Sequence, residues 1–266
     1  MTTICSQQID PGSVLPEYPR PQFRRENWIC LNGPWDYTFT KKSKRPERPD
    51  GQILVPFSPE CLRSGVSRQL RPGEYLWYFR FVYLNAVPEN QRLLLHFGAV
   101  DQRCSVWWNG HLLGKNENGY LSFSFDVTDY LQEGNNTLWV RVQDDSDSGS
   151  QSRGKQSFKP HGMFYTAQSG IWQTVWMEWV PENRIESLKI TPLYDESSVR
   201  LEITLTQPQN MEIRMLWNRD SYCHYVEKED FSTGQSKFVR DIPLPDFRPW
   251  SPEDPFLYEV QIITET

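Results

Sequence analysis

The residues of this sequence best suited to chemistry lie in a polar loop. The loop runs from Gln143 to Gln156 and follows the apolar run Leu138–Val142. A connection of this length and polarity is longer than a simple turn requires, and such loops often carry function. Because it combines hydrogen-bond acceptors with donors, it is our first choice for a binding site. These acceptors and donors are Asp144, Asp145, Asp147, Arg153, Lys155 and Gln156.

The three aspartates of the loop can instead hold a hard cation through their oxygen atoms. Asp144, Asp145 and Asp147 supply the ligand type that calcium prefers, but the loop lacks the regular spacing and terminal glutamate of a calcium-binding loop. A solvated acidic loop without any ligand is the other interpretation. We therefore predict no metal and no cofactor for this chain, and leave open a bound cation near Asp144–Asp147 in a longer parent protein.

Two further candidate side chains, His161 and Tyr165, follow the loop. A histidine titrates near neutral pH and can act as an acid or a base, although a loop histidine without chemistry is the simpler interpretation. An esterase triad is not indicated, because no Gly-x-Ser-x-Gly turn follows a strand. Several tryptophans at strand spacing can stack on sugars, but packing is the more common role. They are Trp107, Trp108, Trp172, Trp176 and Trp179.

Composition argues against several classes of protein. The 266 residues carry a formal net charge of -6, whereas nucleic-acid binding needs a clustered excess of Lys and Arg. No stretch approaches the roughly 20 apolar residues that cross a membrane, and Met1–Asp10 does not resemble a signal peptide, so we expect a cytoplasmic location. The five cysteines are an odd number without Cys-x-x-Cys spacing, which predicts neither a disulfide framework nor a zinc site.

Short strands must position the polar loop. Asn109 and Gly110 separate two apolar runs and predict a tight hairpin, because both central turn residues must adopt positive φ. Tyr75–Tyr83 has large residues on both faces, which predicts a central strand. Short strands separated by turns at intervals of about ten residues, without a helix of ordinary length, are typical of a sandwich or a jelly roll.

The length of the chain favours two domains. A linker is indicated at residues 181–183, after which the strands become shorter and alternate more regularly. We predict a jelly-roll β-sandwich over residues 1–181 and an immunoglobulin-like β-sandwich over residues 182–266, so the predicted fold class is all-β. The proline-rich start of the chain predicts an extended arm that lies on the surface of a neighbour.

Seven short segments of the first predicted domain form a recognisable series. They are Tyr18–Gln22, Leu31–Trp35, Val106–Gly110, Gly119–Phe123, Phe125–Thr128, Arg153–Gln156 and Ser169–Gln173. In this order they resemble the amino-terminal sugar-binding domain of family two glycoside hydrolases, the family of β-galactosidase, β-glucuronidase and β-mannosidase. Pro249–Tyr258 resembles the last strand region of that family's immunoglobulin-like domain. The resemblance covers nearly the whole chain and implies a galactose-binding-like jelly roll.

The resemblance also implies a third domain, a (β/α)8 barrel whose two glutamates act as acid/base and nucleophile in retaining hydrolysis of β-linked sugars. That mechanism needs two carboxyl groups about 5 Å apart on a rigid scaffold. The chain stops at Thr266, where the barrel would begin, so we predict that this polypeptide alone is inactive and holds no catalytic residue. Its expected partners are its own barrel, a carbohydrate substrate and, in the parent enzyme, further copies of the subunit.

By the same resemblance, the loop after Val142 reaches over the mouth of the barrel. Asp144 or Asp145 would accept hydrogen bonds from sugar hydroxyls. The donors would be Arg153, Lys155 and Gln156, with His161 and Tyr165 beside them. Two other hypotheses stay open: a stand-alone carbohydrate-binding module, and a pair of structural sandwiches that binds a protein. Sugar binding by the isolated chain favours the first, and a stable dimer without any sugar response favours the second.

Overall fold

The computed structural model describes residues 10–85, 88–208, 211–217, 222–229, 236–244 and 247–264. For residues 211–217 and 222–229 only the backbone is described. The chain folds as two compact units, Met1–Val180 and Pro181–Thr266. None of the helical segments in the described ranges has the length and apolar character needed to span a membrane.

The first unit is built from short strands. They are β1 (Trp28–Cys30), β2 (Gly33–Thr40), β3 (Gly51–Val55), β4 (Tyr75–Leu84), β5 (Gln91–Phe97), β6 (Val100–Asp101), β7 (Arg103–Trp108), β8 (His111–Asn116), β9 (Phe123–Asp126), β10 (Gly134–Gln143), β11 (Gln156–Ser157), β12 (Tyr165–Thr166), β13 (Gly170–Ile171) and β14 (Val175–Pro181). Single 3₁₀ turns cover Pro21–Phe23, Leu62–Ser64, Thr128–Tyr130 and Ser146–Ser148. The prediction of an all-β fold is confirmed.

Two sheets enclose the core of the first unit. One has six strands in the order β3-β2-β4-β10-β7-β8, and the other has four in the order β1-β14-β5-β9. The core contains the aromatic side chains of Trp35, Tyr78, Phe97 and Trp108 among Leu, Val and Ile residues. Two small pairs, β13 with β6 and β11 with parallel β12, lie outside these sheets and carry the candidate site.

Strand β4 has a different environment on each face. It lies between β2 and β10, as the large residues on both of its faces predict. The face that carries Leu76, Tyr78 and Val82 is buried in the core. On the opposite face Phe81 and Tyr83 are exposed. The outer face of the six-stranded sheet therefore carries aromatic side chains, and part of this face is exposed to solvent.

The hairpin between β7 and β8 turns at Asn109 and Gly110, as predicted. Their φ angles are 48° and 83°, in the left-handed region that this turn requires. The Asn109 amide also donates to Asn136 Oδ1 (2.7 Å) and accepts from the Thr137 backbone N–H (2.8 Å). The turn residue thereby joins the hairpin to strand β10.

The proline-rich arm lies on the outer face of strand β14. The Tyr18 hydroxyl donates to Glu178 (2.6 Å), and the Arg20 guanidinium pairs with the same carboxylate while covering the ring of Trp176. His96 Nε2 lies 3.1 Å from Glu178 Oε1. The arm thus packs on its own unit, and β14 is buried on both faces because of it.

The second unit is a smaller sandwich. Its strands are β15 (Ile185–Leu193), β16 (Ser198–Leu205), β17 (Met211–Trp217), β18 (Tyr222–Glu229), β19 (Lys237–Pro243) and β20 (Glu259–Thr264), with a 3₁₀ turn at Tyr194–Glu196. They form two sheets in the orders β15-β16-β19 and β18-β17-β20. Strand β16 alternates, so that Val199, Leu201, Ile203 and Leu205 point into the core while the residues between them stay near solvent.

Candidate functional site

The polar loop predicted from the sequence begins directly after β10. Asp144 is buried, and its Oδ1 accepts the backbone N–H of Ser146 at 2.7 Å. A 3₁₀ turn follows at Ser146–Ser148, and the Gln151 amide donates to the Ser146 carbonyl at 3.0 Å. The start of the loop is therefore folded back on itself, which fixes the Asp144 carboxyl at the end of β10.

A second buried carboxyl, that of Asp101, lies at this end of the sandwich. Asp101 ends strand β6, pairs with Gly170 of β13, and is only 4 % exposed. Its side chain packs directly on Gly119, where an added Cβ would stand 2.3 Å from Asp101 Oδ1. Only a residue without a side chain leaves this space to the carboxyl group.

Polar and aromatic groups surround the Asp101 carboxyl. Gln156 Nε2 lies 3.4 Å from Asp101 Oδ2 and 3.4 Å from the Tyr120 hydroxyl. Tyr120 forms an edge contact with Trp172, whose indole N–H donates to the Gly119 carbonyl at 2.8 Å. The ring of Tyr120 is exposed, so this group of residues reaches the surface. We call Asp101, Tyr120, Asp144, Gln156 and Trp172 the end cluster.

The carboxyl groups near the end cluster bind protons more tightly than usual. Burial and the negative charge of Asp144 raise the pKa of Asp101 to about 7. Burial also raises the pKa of Asp144. It raises that of Glu60 to about 7 as well, although Ser169 donates two hydrogen bonds to Glu60, at 2.7 and 3.1 Å. Near neutral pH, Asp101 therefore exchanges between a form that only accepts hydrogen bonds and one that also donates.

The remaining aspartates of the loop have structural partners. Asp145 pairs with Arg103. Asp147 accepts the hydroxyl of Ser157 at 2.7 Å and the backbone N–H of Phe158 at 3.2 Å. A cation would have to replace these partners. In the described ranges no group of three or more His, Cys, Asp or Glu residues is arranged to hold a metal ion.

The other predicted site residues lie around the end cluster rather than in it. Arg153 is half-buried and near Asp147, whose pKa it helps to lower after the larger effect of Ser157. Lys155 is exposed, and its carbonyl accepts the backbone N–H of Tyr165 at 2.8 Å. Tyr165 is itself exposed, and His161 packs against Phe164 and contacts the Lys159 carbonyl.

Comparison with known proteins identifies the family. A model described as "Glycosyl hydrolase 2 galactose-binding domain-like" matches residues 68–179, and one described as "Glycosyl hydrolases family 2" matches residues 183–265. The chain belongs to glycosyl hydrolases family 2. Its fold agrees with this assignment, since the first unit is a jelly-roll sandwich and the second is immunoglobulin-like.

Several curated proteins are similar to the chain. The β-galactosidase large subunit of Latilactobacillus sakei is 26 % identical over 264 residues, which cover 97 % of this chain and 38 % of that protein. The β-galactosidase of Thermoanaerobacter pseudethanolicus is 25 % identical over 194 residues, which cover 70 % of this chain and 25 % of that protein. The chain thus spans well under half the length of these two relatives.

Solved β-glucuronidase structures show the same fold. The β-glucuronidase of Faecalibacterium prausnitzii superposes with a TM-score of 0.69 at 22 % identity, covering 94 % of this chain and 46 % of that one. The β-glucuronidase of Bifidobacterium dentium gives a TM-score of 0.69 at 19 % identity. At these identities the similarity establishes the fold.

Within this family 2 chain, the structure brings two of the sequence-predicted residues, Asp144 and Gln156, into the end cluster. The sequence analysis did not propose Asp101 or Tyr120 as site residues, and it considered Trp172 as a possible sugar contact but favoured packing. Asp101 follows an apolar run with no motif of its own. A usable signal was Gly119, because glycine is used where another group approaches the backbone closely.

Proposed function

We propose that the chain is the front part of a family 2 glycosidase and that its end cluster contacts the sugar bound by the enzyme. The observation that carries this proposal is the buried Asp101 carboxyl, surrounded by an amide and an exposed tyrosine. Carboxyl and amide groups match the paired hydroxyls of a sugar, and an aromatic ring matches its apolar face.

Catalysis itself would reside in a separate barrel domain. Retaining hydrolysis needs an acid/base and a nucleophile on either side of the anomeric carbon, and we assign both to the barrel. The chain covers only 25 % and 38 % of the length of the two curated relatives. A full-length enzyme of their size therefore has room for such a domain. Relatives named β-galactosidase and β-glucuronidase support a β-linked galactoside or glucuronide as substrate.

A stand-alone carbohydrate-binding module is the second candidate. The exposed Tyr120 ring next to Gln156 favours it, since a sugar could stack there without any barrel. Sequencing the gene beyond the codon for Thr266 distinguishes the glycosidase from the stand-alone module. A reading frame with alternating strands and helices supports the glycosidase, and a nearby stop codon supports the module.

Sugar titration tests the role of the end cluster directly. We expect the 266-residue chain to bind methyl β-galactoside or methyl β-glucuronide weakly and not to hydrolyse the corresponding nitrophenyl glycosides. Asp101→Asn and Asp144→Asn should weaken binding about tenfold, the loss typical of one hydrogen bond to a charged group. Asp129→Asn, at an exposed aspartate paired with Arg92, is the matched control and should bind normally.

Two results would contradict the proposal. Equal affinities in the cluster variants and in the Asp129→Asn control would show that the sugar binds elsewhere. Hydrolysis of nitrophenyl glycosides by the purified chain at the rate of an enzyme would show that the catalytic groups lie in these two units.

A further inference from the structure

Glu60 lies outside the end cluster but is bonded to a segment that contacts it. It stands in the connection between β3 and β4, residues 56–74. Its Oε1 atom accepts the Ser169 hydroxyl at 2.7 Å and the Leu70 backbone N–H at 3.2 Å, and its Oε2 atom accepts the Ser169 backbone N–H at 3.1 Å. One carboxylate therefore joins its own connection to a segment 109 residues further along the chain.

The connection that carries Glu60 is fixed at more than one point. Leu70 is 1 % exposed and packs in the core of the first unit. The Arg68 backbone N–H donates to the Pro59 carbonyl at 2.9 Å, so the chain closes on itself beside Glu60. Because the backbone on this side is held, a change in the hydrogen bonds of the Glu60 carboxylate acts mainly on the other side, at Ser169.

The segment on the other side contacts two members of the end cluster. The Gln168 backbone N–H donates to Gln156 Oε1 at 2.6 Å, and Gly170 pairs with Asp101 in the short ladder of β13 with β6. Ser169 lies between these two contacts and is 2 % exposed. A displacement of Ser169 would therefore move the partners of both Gln156 and Asp101.

The same segment ends in a third member of the end cluster. Trp172 donates its indole N–H to the Gly119 carbonyl at 2.8 Å, and its ring is in edge contact with Tyr120. We call residues 168–172 the bridging segment, because it connects Glu60 to most of the end cluster. The members that it connects are Asp101, Tyr120, Gln156 and Trp172.

A second attachment of the bridging segment keeps its proton at neutral pH. The Ile171 backbone N–H donates to the Tyr78 hydroxyl at 3.2 Å. Tyr78 is fully buried, and burial raises the pKa of its hydroxyl above the usual range, with a smaller contribution from the negative charge of Glu60. The attachment through Tyr78 is therefore the same on both sides of neutrality, whereas the one through Glu60 is not.

The Glu60 carboxyl changes its charge near neutral pH. Burial raises its pKa to about 7, and the hydrogen bonds from Ser169 and Leu70 offset only part of this effect. The titratable groups on the neighbouring strands are Asp101 of β6 and Tyr78 of β4, and the charge of Glu60 acts on both. The ionised carboxylate accepts all three hydrogen bonds, whereas the protonated group carries a hydrogen that competes with one of the donors. The bridging segment is therefore held most firmly when Glu60 is ionised.

We propose that Glu60 is a positioning residue of the end cluster, which it holds in place through Ser169 and the bridging segment when its carboxyl group is ionised. Glu60 does not itself contact the sugar. Its effect on sugar binding rests on the function proposed for the end cluster, whereas its effect on the position of Trp172 does not. The two can therefore fail separately.

Glu60→Gln tests the positioning role, because glutamine has the shape of a protonated glutamate and stays neutral at every pH. The Trp172 indole N–H reports its contact with Gly119 in a ¹H–¹⁵N correlation spectrum of the 266-residue chain, and Trp172→Phe assigns the signal. We expect this signal to coincide nearly in Glu60→Gln and wild type at about pH 5.5 and to differ at about pH 8.5. Ser169→Ala, which removes the shortest bond to Glu60, should move the signal in the same direction at the higher pH and serves if Glu60→Gln does not fold.

Glu74→Gln is the matched control. Glu74 lies in the same connection, and it accepts the Arg68 guanidinium at 2.8 Å and the Arg71 backbone N–H at 3.2 Å, both within that connection. This variant should leave the Trp172 signal unchanged at both pH values.

Titration with methyl β-galactoside extends the test to sugar binding. Glu60→Gln should weaken binding about two- to thirtyfold at the higher pH, the range for residues that act on a site through a network, and change it little at the lower pH. Glu74→Gln should bind like the wild type. If neither variant nor wild type bound the sugar while the Trp172 signal behaved as expected, the positioning role would stand and the function proposed for the end cluster would not.

Two outcomes would overturn the proposal. A Trp172 signal that is the same in Glu60→Gln and wild type at the higher pH would show that Glu60 does not hold the bridging segment. A difference of equal size at both pH values would show that the shape of the side chain matters and its charge does not.

Discussion

At the scale of single residues, the protonation of Asp101 has a consequence for stability. Its pKa is about 7 in the folded chain, against an ordinary value of 3.8. Between these two pH values the unfolded chain releases the proton while the folded chain keeps it, so the free energy of unfolding decreases as pH rises. Below about pH 4 both states are protonated, and above about pH 7 both are ionised.

Replacing Asp101 with asparagine should remove this loss. We expect the difference in the free energy of unfolding between Asp101→Asn and the wild type to shift in favour of the variant by on the order of 4 kcal/mol between pH 4 and pH 7–8. Urea unfolding followed by tryptophan fluorescence at several pH values measures the change.

Asp147 supplies a control of opposite sign. The Ser157 hydroxyl and the Phe158 N–H lower the pKa of Asp147. Its contribution to stability is therefore present above the ordinary pKa and is lost as pH falls. Asp147→Asn should lower stability near neutral pH and change it little in acid. If both variants responded to pH in the same direction, the interpretation of Asp101 would be wrong.

At the scale of elements, the amino-terminal arm depends on one carboxylate. Burial alone would raise the pKa of Glu178, but the contacts from His96 and Tyr18 and the charge of Arg20 outweigh burial and hold it at about 2. This contribution to stability is complete above the ordinary pKa of 4.5 and is lost as pH falls toward 2.

Removing this carboxylate should release the arm. Glu178→Ala leaves Arg20 without its buried partner and is expected to cost about 3 kcal/mol. The arm should then be cut by trypsin after Arg24 and Arg25 faster than in the wild type. Glu202→Ala, which breaks the exposed pair with Lys189, is the control and should change neither property appreciably. Equal trypsin sensitivity in both variants would show that the arm is held by other contacts.

The hairpin between β7 and β8 gives a separate prediction. Gly110 has a φ of 83°, and an added Cβ would meet nothing within 4 Å, so only backbone conformation opposes a side chain. Gly110→Ala should therefore cost about 1 kcal/mol. Gly51→Ala, whose new Cβ would lie in ordinary contact with Tyr37 (3.4 Å) at a residue without positive φ, should cost less in the same thermal unfolding experiment. The reverse order would contradict this account.

These elements differ in how far the sequence predicts them. The Asn109-Gly110 turn and strand β4 were predictable because their signals are local: a dipeptide that accepts positive φ and a run of alternating residues. The end cluster was not, since Asp101 meets Gly119, Gln156 and Gly170 only through pairings distant in sequence. Glu178 likewise looks like an ordinary polar residue of a strand until the arm is placed over it.

At the scale of the whole molecule, each unit has its own core. The core of the first unit contains large aromatic side chains, including Trp35, Tyr78 and Trp108. The described core of the second unit consists of Val, Leu and Ile residues with Phe238. Aromatic side chains bury about 150–250 Å² each, so the first unit gains more from burial. We therefore expect the second unit to unfold first.

Hydrogen exchange at increasing urea concentration tests this order with two matched strands. Strand β10 lies between β4 and β7 in the first unit, and β16 lies between β15 and β19 in the second, so both are central and hydrogen-bonded on both edges. Amide protons of β16 should lose protection at a lower urea concentration than those of β10, because local opening reports the stability of the unit that holds the strand. Loss of protection at the same concentration would contradict this expectation and would mean that the two units unfold as one cooperative structure.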